Sequence, residues 1–131
     1  MAIRMELSRI LITETQDYQL IELREVDGER KFPIVIGLYE AAAIERRLKN
    51  VPIQRPQTHE LLAQTIEAMG GKLSRIVIND LRDHTFFAQI VIQMNGQTIE
   101  VDSRPSDAIA LGIANDVPIY VEDHVLDEAS T

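Results

Sequence analysis

Apolar and polar residues alternate through the first third of the chain, a pattern typical of strands with one buried face. The alternation predicts three strands, at residues 3–12, 18–26 and 31–36. Asp27-Gly28 predicts the turn of a hairpin, because glycine readily takes the positive φ that such turns need. Pro33 lacks the N–H group of a ladder, so it predicts that the third strand begins there or lies at an edge.

Helical spacing replaces this alternation in the middle of the chain, where apolar residues recur every three or four positions. After Gly37 the spacing predicts a helix with three inward side chains, those of Ala41, Ile44 and Leu48. Thr58 is a favoured N-cap type and predicts the start of a second helix, which ends at Gly70-Gly71. Its inward side chains are expected to be those of Leu62, Ile66 and Met69.

Strands return in the second half of the chain, at residues 74–81, 86–94, 98–102 and 118–121. Asn95-Gly96 is a strong hairpin signal between the second and third of them. Arg104-Pro105 opens a helix that is apolar nearly all round and should be buried, and residues 123–129 predict a terminal helical turn. The strands gather in hairpins, so the predicted fold class is α+β, a mixed and largely antiparallel sheet with about three helices.

The composition suits one domain, since 131 residues can bury a single core. The chain has no cysteine, which agrees with a reducing compartment. It also lacks the apolar stretch of roughly 7–15 residues that a signal peptide needs and the ~18 residues of a membrane span. We therefore predict a cytoplasmic protein without membrane contact. The apolar run Ile10-Leu-Ile, in an early strand whose edge would otherwise be exposed, predicts self-association into a homo-oligomer.

The net charge of −8 argues against general nucleic-acid binding, which depends on basic side chains. Residues 45–75 nevertheless carry +3, against −11 in the remainder of the chain. Arg46, Arg47, Lys49 and Arg55 are expected to line the approach to the helix that starts at Thr58, whose N–H groups add affinity for anions. A solvated helix face is the alternative explanation for this basic segment.

Two polar segments contain candidate functional residues. The first gathers Arg55, His59 and Glu60 at a helix start, where an anion would bind, although capping by Thr58, with His59 exposed, explains the same residues. The second places Asp80 and Asp83 in a tight strand connection. Two carboxylates there could share a divalent cation, which prefers oxygen ligands, although connecting turns are commonly polar for solvation alone.

A third polar segment stands where the buried helix begins, and it holds Asp102, Arg104, Ser106 and Asp107. Buried charges must be paired, so an internal pair between Arg104 and a carboxylate, with capping by Ser106 or Asp107, is one interpretation. We expect Asp102 and Arg104 to be close together and at least half buried, so that Arg104→Ala would cost several kcal/mol.

Six segments together resemble the bifunctional nuclease domain family of bacterial and plant proteins. They are, in chain order, Pro33-Ile-Val-Ile-Gly, Glu40 with Ala43-Ile44, Arg55-Pro-x-Thr-His-Glu-Leu, Leu81-Arg-Asp-x-Thr-Phe-x-Ala, Val101-Asp-Ser-Arg-Pro-Ser-Asp-Ala-Ile-Ala-Leu and Pro118-Ile-Tyr-Val. The resemblance extends from about residue 5 to residue 128 of the single domain, residues 1–131. It implies nuclease activity on both DNA and RNA, an α+β fold and homo-oligomeric assembly.

Cleavage of a phosphodiester needs an activated water, a group that holds the phosphate and neutralisation of the developing charge. For a metal-assisted nuclease, the candidate ligands of magnesium or manganese are Asp80, Asp83, Asp102 and Asp107, and no organic cofactor is expected. The candidate catalytic residues are His59 or Glu60 as the general base, with Asp102, Arg104 and Asp107. The candidate substrate-binding residues are Arg46, Arg47, Arg55 and Arg104.

The alternative function is a non-catalytic oligomeric interaction or regulatory module, in which the same polar residues are structural. Only 5% of the residues are aromatic, and single-stranded nucleic acids usually stack on aromatic side chains. The nuclease hypothesis requires the three polar segments to converge in space. A metal-dependent cleavage assay on purified protein, with an Arg104 variant as control, discriminates between the two functions.

Overall fold

The computed structural model describes residues 1–13, 15 and 17–130. In this part of the chain seven strands and four helices follow one another as β1 (Ala2–Leu11), β2 (Gln19–Glu25), β3 (Lys31–Ile36), α1 (Leu38–Leu48), α2 (Thr58–Ala68), β4 (Lys72–Arg82), β5 (Thr85–Met94), β6 (Gln97–Ser103), α3 (Pro105–Ala114), β7 (Ile119–Glu122) and α4 (Asp123–Ala129). The predicted α+β class is confirmed. The predicted helix number is one too small, because the expected terminal turn is a helix of 7 residues.

The seven strands form one mixed sheet in the order β3-β2-β1-β7-β4-β5-β6. Every neighbouring pair is antiparallel except β4 and β7. Pro33 lies in the edge strand β3, as its missing N–H predicted. β1 pairs with β7 only over its first half, from Ala2 to Met5, whereas Ile10 and Leu11 pair with β2 alone. Self-association itself stays a prediction.

The core lies on the face of the sheet that α1 and α3 cover. In the middle of that face Ile76 pairs with Ile90 on one side and Ile119 on the other, and all three are buried. Helix α3 is buried along most of its length, as its apolar sequence predicted. The inward position predicted for Leu48 is wrong, since this residue at the end of α1 is 50% exposed.

Helix α2 lies at the margin of the core and has no fully buried residue. Of its three predicted inward residues, Ile66 packs against the core, whereas Leu62 and Met69 are exposed. The face that turns inward instead carries Ala63 and Ile66. Helix α2 packs against α3 and β4, and these contacts determine which of its faces turns inward.

The sheet is strongly curled, so that strands far apart in its order come into contact. Phe32 of the edge strand β3 stacks on Phe86 of β5, with ring centroids 5.4 Å apart. The curl brings the end of β3, followed by Gly37 and α1, close to the end of β6, followed by Arg104 and α3. Two helix starts therefore lie at the same end of the molecule.

The hairpin predicted at Asp27-Gly28 is present between β2 and β3, but the reason given for its glycine is wrong. Gly28 does not have a positive φ. A Cβ atom there would collide with the Glu25 carboxylate, which bends over the turn to bind Arg30 at 2.6 Å. Arg30 in turn binds Asp127 of α4 at 2.7 Å, so Gly28 leaves space for an ionic link between hairpin and helix.

None of the helices in the described ranges is both long and apolar enough to cross a lipid bilayer.

Candidate active site

The N-terminal ends of three helices converge on one cleft of about 530 Å³. Glu40 comes from the first turn of α1, His59 from the first turn of α2, and Asp107 from the first turn of α3, which Arg104 precedes as N-cap. No side chain caps the start of α1 or α3. Because helix N-termini carry partial positive charge and unsatisfied N–H groups, the cleft suits an anion.

Asp107 joins the residues of this cleft into one hydrogen-bonded network. His59 Nε2 and Asp107 Oδ1 are 3.1 Å apart, and Arg104 Nε donates to Asp107 Oδ2 at 2.8 Å. The His59 side chain is only 12% exposed, so the exposed position assumed for it under the capping interpretation is wrong. Two segments that lie 48 residues apart in sequence thus contribute an imidazole and a carboxylate to the same contact.

Arg104 also reaches a second carboxylate across the cleft, with its Nη2 atom 3.7 Å from Glu40 Oε2. Glu40 is largely buried, and its other oxygen lies over Gly37, where an added Cβ atom would be 2.5 Å away. No functional role was predicted for Glu40. The signal in the sequence was a glutamate in the first turn of a helix that follows a glycine, which also occurs in ordinary helix starts.

These contacts shift the pKa values of two groups in opposite directions. Partial burial raises the pKa of Asp107, but hydrogen bonds from Arg104 and His59 outweigh burial, and the net pKa is below the usual value. The hydrogen bond to Asp107 and the charge of that carboxylate raise the pKa of Arg104. Both groups are therefore ionised at neutral pH, an anion beside the imidazole and a cation at the mouth of the cleft.

The structure separates the predicted substrate-binding arginines. Arg46 lines the cleft and, in the described part of the chain, has no ion-pair partner. Arg47 points elsewhere, since it binds Asp116 at 3.2 Å and the Ile113 carbonyl at the end of α3. Arg55 is exposed in the connection before α2 and does not line the cleft.

Glu60 and Thr58 have other positions than the sequence suggested. The N-cap of α2 is Gln57, one residue earlier than predicted, and Thr58 is the first residue of the helix. Glu60 Oε1 accepts a hydrogen bond from the Gln57 N–H group at 3.3 Å. Glu60 thus stabilises the helix start and does not line the cleft, so of the two candidate general bases only His59 lies in the cleft.

The predicted pair of Asp102 and Arg104 is wrong. Asp102 is exposed, the Arg104 side chain is 67% exposed, and the carboxylate partners of Arg104 are Asp107 and Glu40. Successive residues of a strand point to opposite faces of a sheet. Ser103 at the end of β6 lines the cleft, so Asp102 is directed to the other face.

The four carboxylates proposed as metal ligands are not brought together. Asp80 lies near the C-terminal end of β4, where it pairs with Arg82 at 2.9 Å, and Asp83 is in the turn that follows this strand. Across the described residues, no three His, Asp or Glu side chains are placed to hold a metal ion. In the cleft, Asp107 and Glu40 are both ion-paired with Arg104, so this donor set does not fit a protein-held magnesium or manganese ion.

Comparison with known proteins agrees with the sequence resemblance. The bifunctional nuclease domain matches the chain over residues 21–131. The chain belongs to this family. An uncharacterized protein of Mycobacterium tuberculosis is 41% identical over 92% of this chain and 71% of its own length.

Plant relatives carry the name of the family. Bifunctional nuclease 2 of Oryza sativa subsp. japonica is 30% identical over 84% of this chain and 35% of its own length. Bifunctional nuclease 1 of Arabidopsis thaliana is 24% identical over 71% of this chain and 30% of its own length. In both relatives, the matched part is about one third of a longer protein.

Proposed function

We propose that this protein is a nuclease that hydrolyses phosphodiester bonds in DNA and RNA in the cleft between the three helix N-termini. The observation that supports the proposal is the contact of His59 with Asp107 and of Asp107 with Arg104. An imidazole oriented by a carboxylate is suited to acid–base catalysis, and a guanidinium beside it is suited to hold a phosphate.

His59 is the general base in this proposal. An ionised Asp107 accepts the proton of Nε2, which leaves Nδ1 of the neutral imidazole as the proton acceptor. DNA lacks the 2′-hydroxyl group, so an enzyme that cleaves DNA and RNA by one route cannot use that group as the nucleophile, and in this proposal the nucleophile is water. His59 would remove a proton from that water as it attacks the phosphorus, and Asp107 would stabilise the imidazolium that forms. The P–O bond to one ester oxygen then breaks, and that oxygen leaves as a hydroxyl group after it takes the proton back from the imidazolium.

Arg104 and Arg46 bind the phosphate. The contacts of Arg104 with Asp107 and Glu40 use its Nε and Nη2 atoms and leave Nη1 for a phosphate oxygen. Arg46 brings a second positive charge to the cleft, and the uncapped N–H groups of α1 and α3 add hydrogen-bond donors. Charge that develops on the phosphate oxygens would be stabilised by these fixed donors.

The test of the proposed function is cleavage of labelled RNA and DNA oligonucleotides by the parent protein and by variants purified in parallel. Each reaction is run with magnesium, with manganese and with EDTA, because the metal dependence predicted from the sequence stays a prediction. Activity in the parent that a substitution in the cleft removes would support the proposal.

Replacing Arg46 with alanine should weaken nucleic-acid binding and reduce its dependence on salt. One lost phosphate contact on a single strand lowers the slope of log affinity against log salt by about 0.7. The measurement is fluorescence anisotropy of a labelled oligonucleotide between about 50 and 200 mM salt, with His59→Ala present in every protein to prevent cleavage.

Arg47→Ala is the matched control, since it removes the same charge from the neighbouring position. Arg47 links α1 to the end of α3, so its loss should lower the melting temperature and leave the salt slope unchanged. An unchanged slope for Arg46→Ala, or equal changes for both variants, would contradict a phosphate contact at Arg46.

Asp107→Asn should reveal the lowered pKa of Asp107 as a pH-dependent stability difference. The folded pKa lies below the unfolded value of about 3.9, so the carboxylate stabilises the fold above that value. The contribution disappears as the pH falls through the folded pKa. The melting temperature of Asp107→Asn should therefore lie below that of the parent at neutral pH and approach it on acidification.

Melting curves by circular dichroism from neutral to strongly acidic pH measure this difference. Asp102→Asn is the control, because Asp102 is exposed, lies outside the cleft and has no ion pair among the described residues. A difference between Asp107→Asn and the parent that widens on acidification would contradict the direction of the pKa shift.

A further inference from the structure

A second groove, of about 500 Å³, shares Arg104 with the cleft. The residues that line it include Tyr18, Gly37, His84 and Ser106, from four separate parts of the chain. Arg104 lines both depressions, so the cleft and the second groove meet at its side chain. The proposed catalytic reaction uses no other residue of the second groove.

The turn between β4 and β5 presents His84 to this groove in a left-handed backbone conformation. Asp83 has φ 50° and His84 has φ 65°. Two-residue hairpin turns with two positive φ angles favour Asn-Gly, because glycine carries no steric cost there. Asp-His in this turn retains backbone strain, and strained residues concentrate at functional sites. The turn thereby places the imidazole of His84 at the second groove.

An exposed tyrosine stands at each depression. Tyr39 is 85% exposed at the cleft, and Tyr18 is 44% exposed at the second groove. These are two of the three tyrosines in the chain. A tyrosine ring offers a flat apolar face on which a nucleobase can stack, whatever its sequence.

We propose that the cleft and the second groove form one continuous track for an unpaired nucleic-acid strand. Arg104 holds the phosphate at the centre, Tyr39 and Tyr18 stack bases on its two sides, and His84 contacts a flanking phosphate. The inference rests on the proposed nuclease function and specifies its substrate. A base inside a duplex has both faces covered by its neighbours, so two stacking side chains select a single strand.

The experiment measures binding of a fluorescein-labelled oligothymidylate to full-length proteins that all carry His59→Ala. Stacking contributes about 1–3 kcal/mol per base, so Tyr39→Ala and Tyr18→Ala should each weaken binding by about 5-fold to 150-fold. Tyr39→Phe keeps the ring and should bind like the parent. His84→Ala should weaken binding, because it removes the imidazole that contacts the flanking phosphate.

Leu61→Ala is the control, since Leu61 is 56% exposed on α2 and lines neither depression. A duplex of the same length should bind more weakly than the single strand and be insensitive to both tyrosine substitutions. If Tyr18→Ala and His84→Ala both bind the single strand like Leu61→Ala, the second groove is not part of the track and the inference is overturned.

Binding and cleavage separate this inference from the function on which it rests. Cleavage by the parent together with tyrosine variants that bind normally would refute the track and leave the nuclease proposal in place. Tyrosine-dependent binding without any cleavage would refute the nuclease proposal, and the track would then belong to a protein that only binds single strands.

Discussion

His59→Ala should lower the rate of oligonucleotide cleavage by about 10²-fold to 10⁴-fold, the usual contribution of a general base. In the structure His59 is the imidazole in the cleft, and Asp107 orients its ring through a contact of 3.1 Å. Without the ring, the cleft loses the group that removes the proton from water in the proposed reaction. The measurement is the initial rate on a labelled oligonucleotide, with DNA and RNA compared at the same length.

The control for this prediction is His124→Ala, because His124 lies on α4, is 64% exposed and is outside the cleft. Its cleavage rate should match that of the parent. Melting curves for both variants separate a catalytic effect from unfolding, and His59→Gln preserves most of the packing volume if His59→Ala is unstable.

Equal cleavage by the parent and His59→Ala would show that the activity is a contaminant or uses another site. Absence of cleavage in both proteins, with and without magnesium or manganese, would favour the non-catalytic interaction or regulatory module that the sequence left open.

Phe32→Ala should reduce the free energy of unfolding by about 3–5 kcal/mol, as is usual when a buried aromatic side chain is removed from a core. Phe32 is 1% exposed, and its ring stacks on Phe86 across the curled sheet. The substitution leaves a cavity where the edge strand β3 meets β5. Urea denaturation should show a lower midpoint with an unchanged slope.

Val35→Ala is the matched control in the same strand, since Val35 is 63% exposed on the opposite face. Its effect should stay within about 0.5 kcal/mol, as for most surface substitutions. Similar losses of unfolding free energy for the two variants would contradict a stabilising role of the contact between Phe32 and Phe86.

Local signals in the sequence determined most of the secondary structure. The alternation at residues 31–36 predicts β3 with the bounds that the structure shows, and Asn95-Gly96 forms the turn between β5 and β6 with positive φ at both positions. Such signals are reliable because they depend on neighbours in the chain, through strand periodicity and the steric freedom of glycine.

Side chains whose environment depends on packing were predicted less well. The sequence gives the helical spacing of Leu48 and Met69, but the structure leaves both exposed, Leu48 as the last residue of α1 and Met69 as the C-cap that follows α2. The start of α2 was also predicted imprecisely. The residue type of Thr58 predicted it as the N-cap, whereas the backbone conformation places the N-cap at Gln57.

The sequence by itself determined the fold class, the family and the residue types of the site, including His59, Arg104 and Asp107. The tertiary structure decided which of these residues meet. His59 and Asp107 are 48 residues apart, and they come together because α2 packs against α3. Asp102 is five residues from Asp107 but is directed to the other face of the sheet, since strand alternation separates it from Ser103. Proximity along the chain was therefore a poor guide to proximity in the cleft, where the packing of helices on a curled sheet fixes the positions of the side chains.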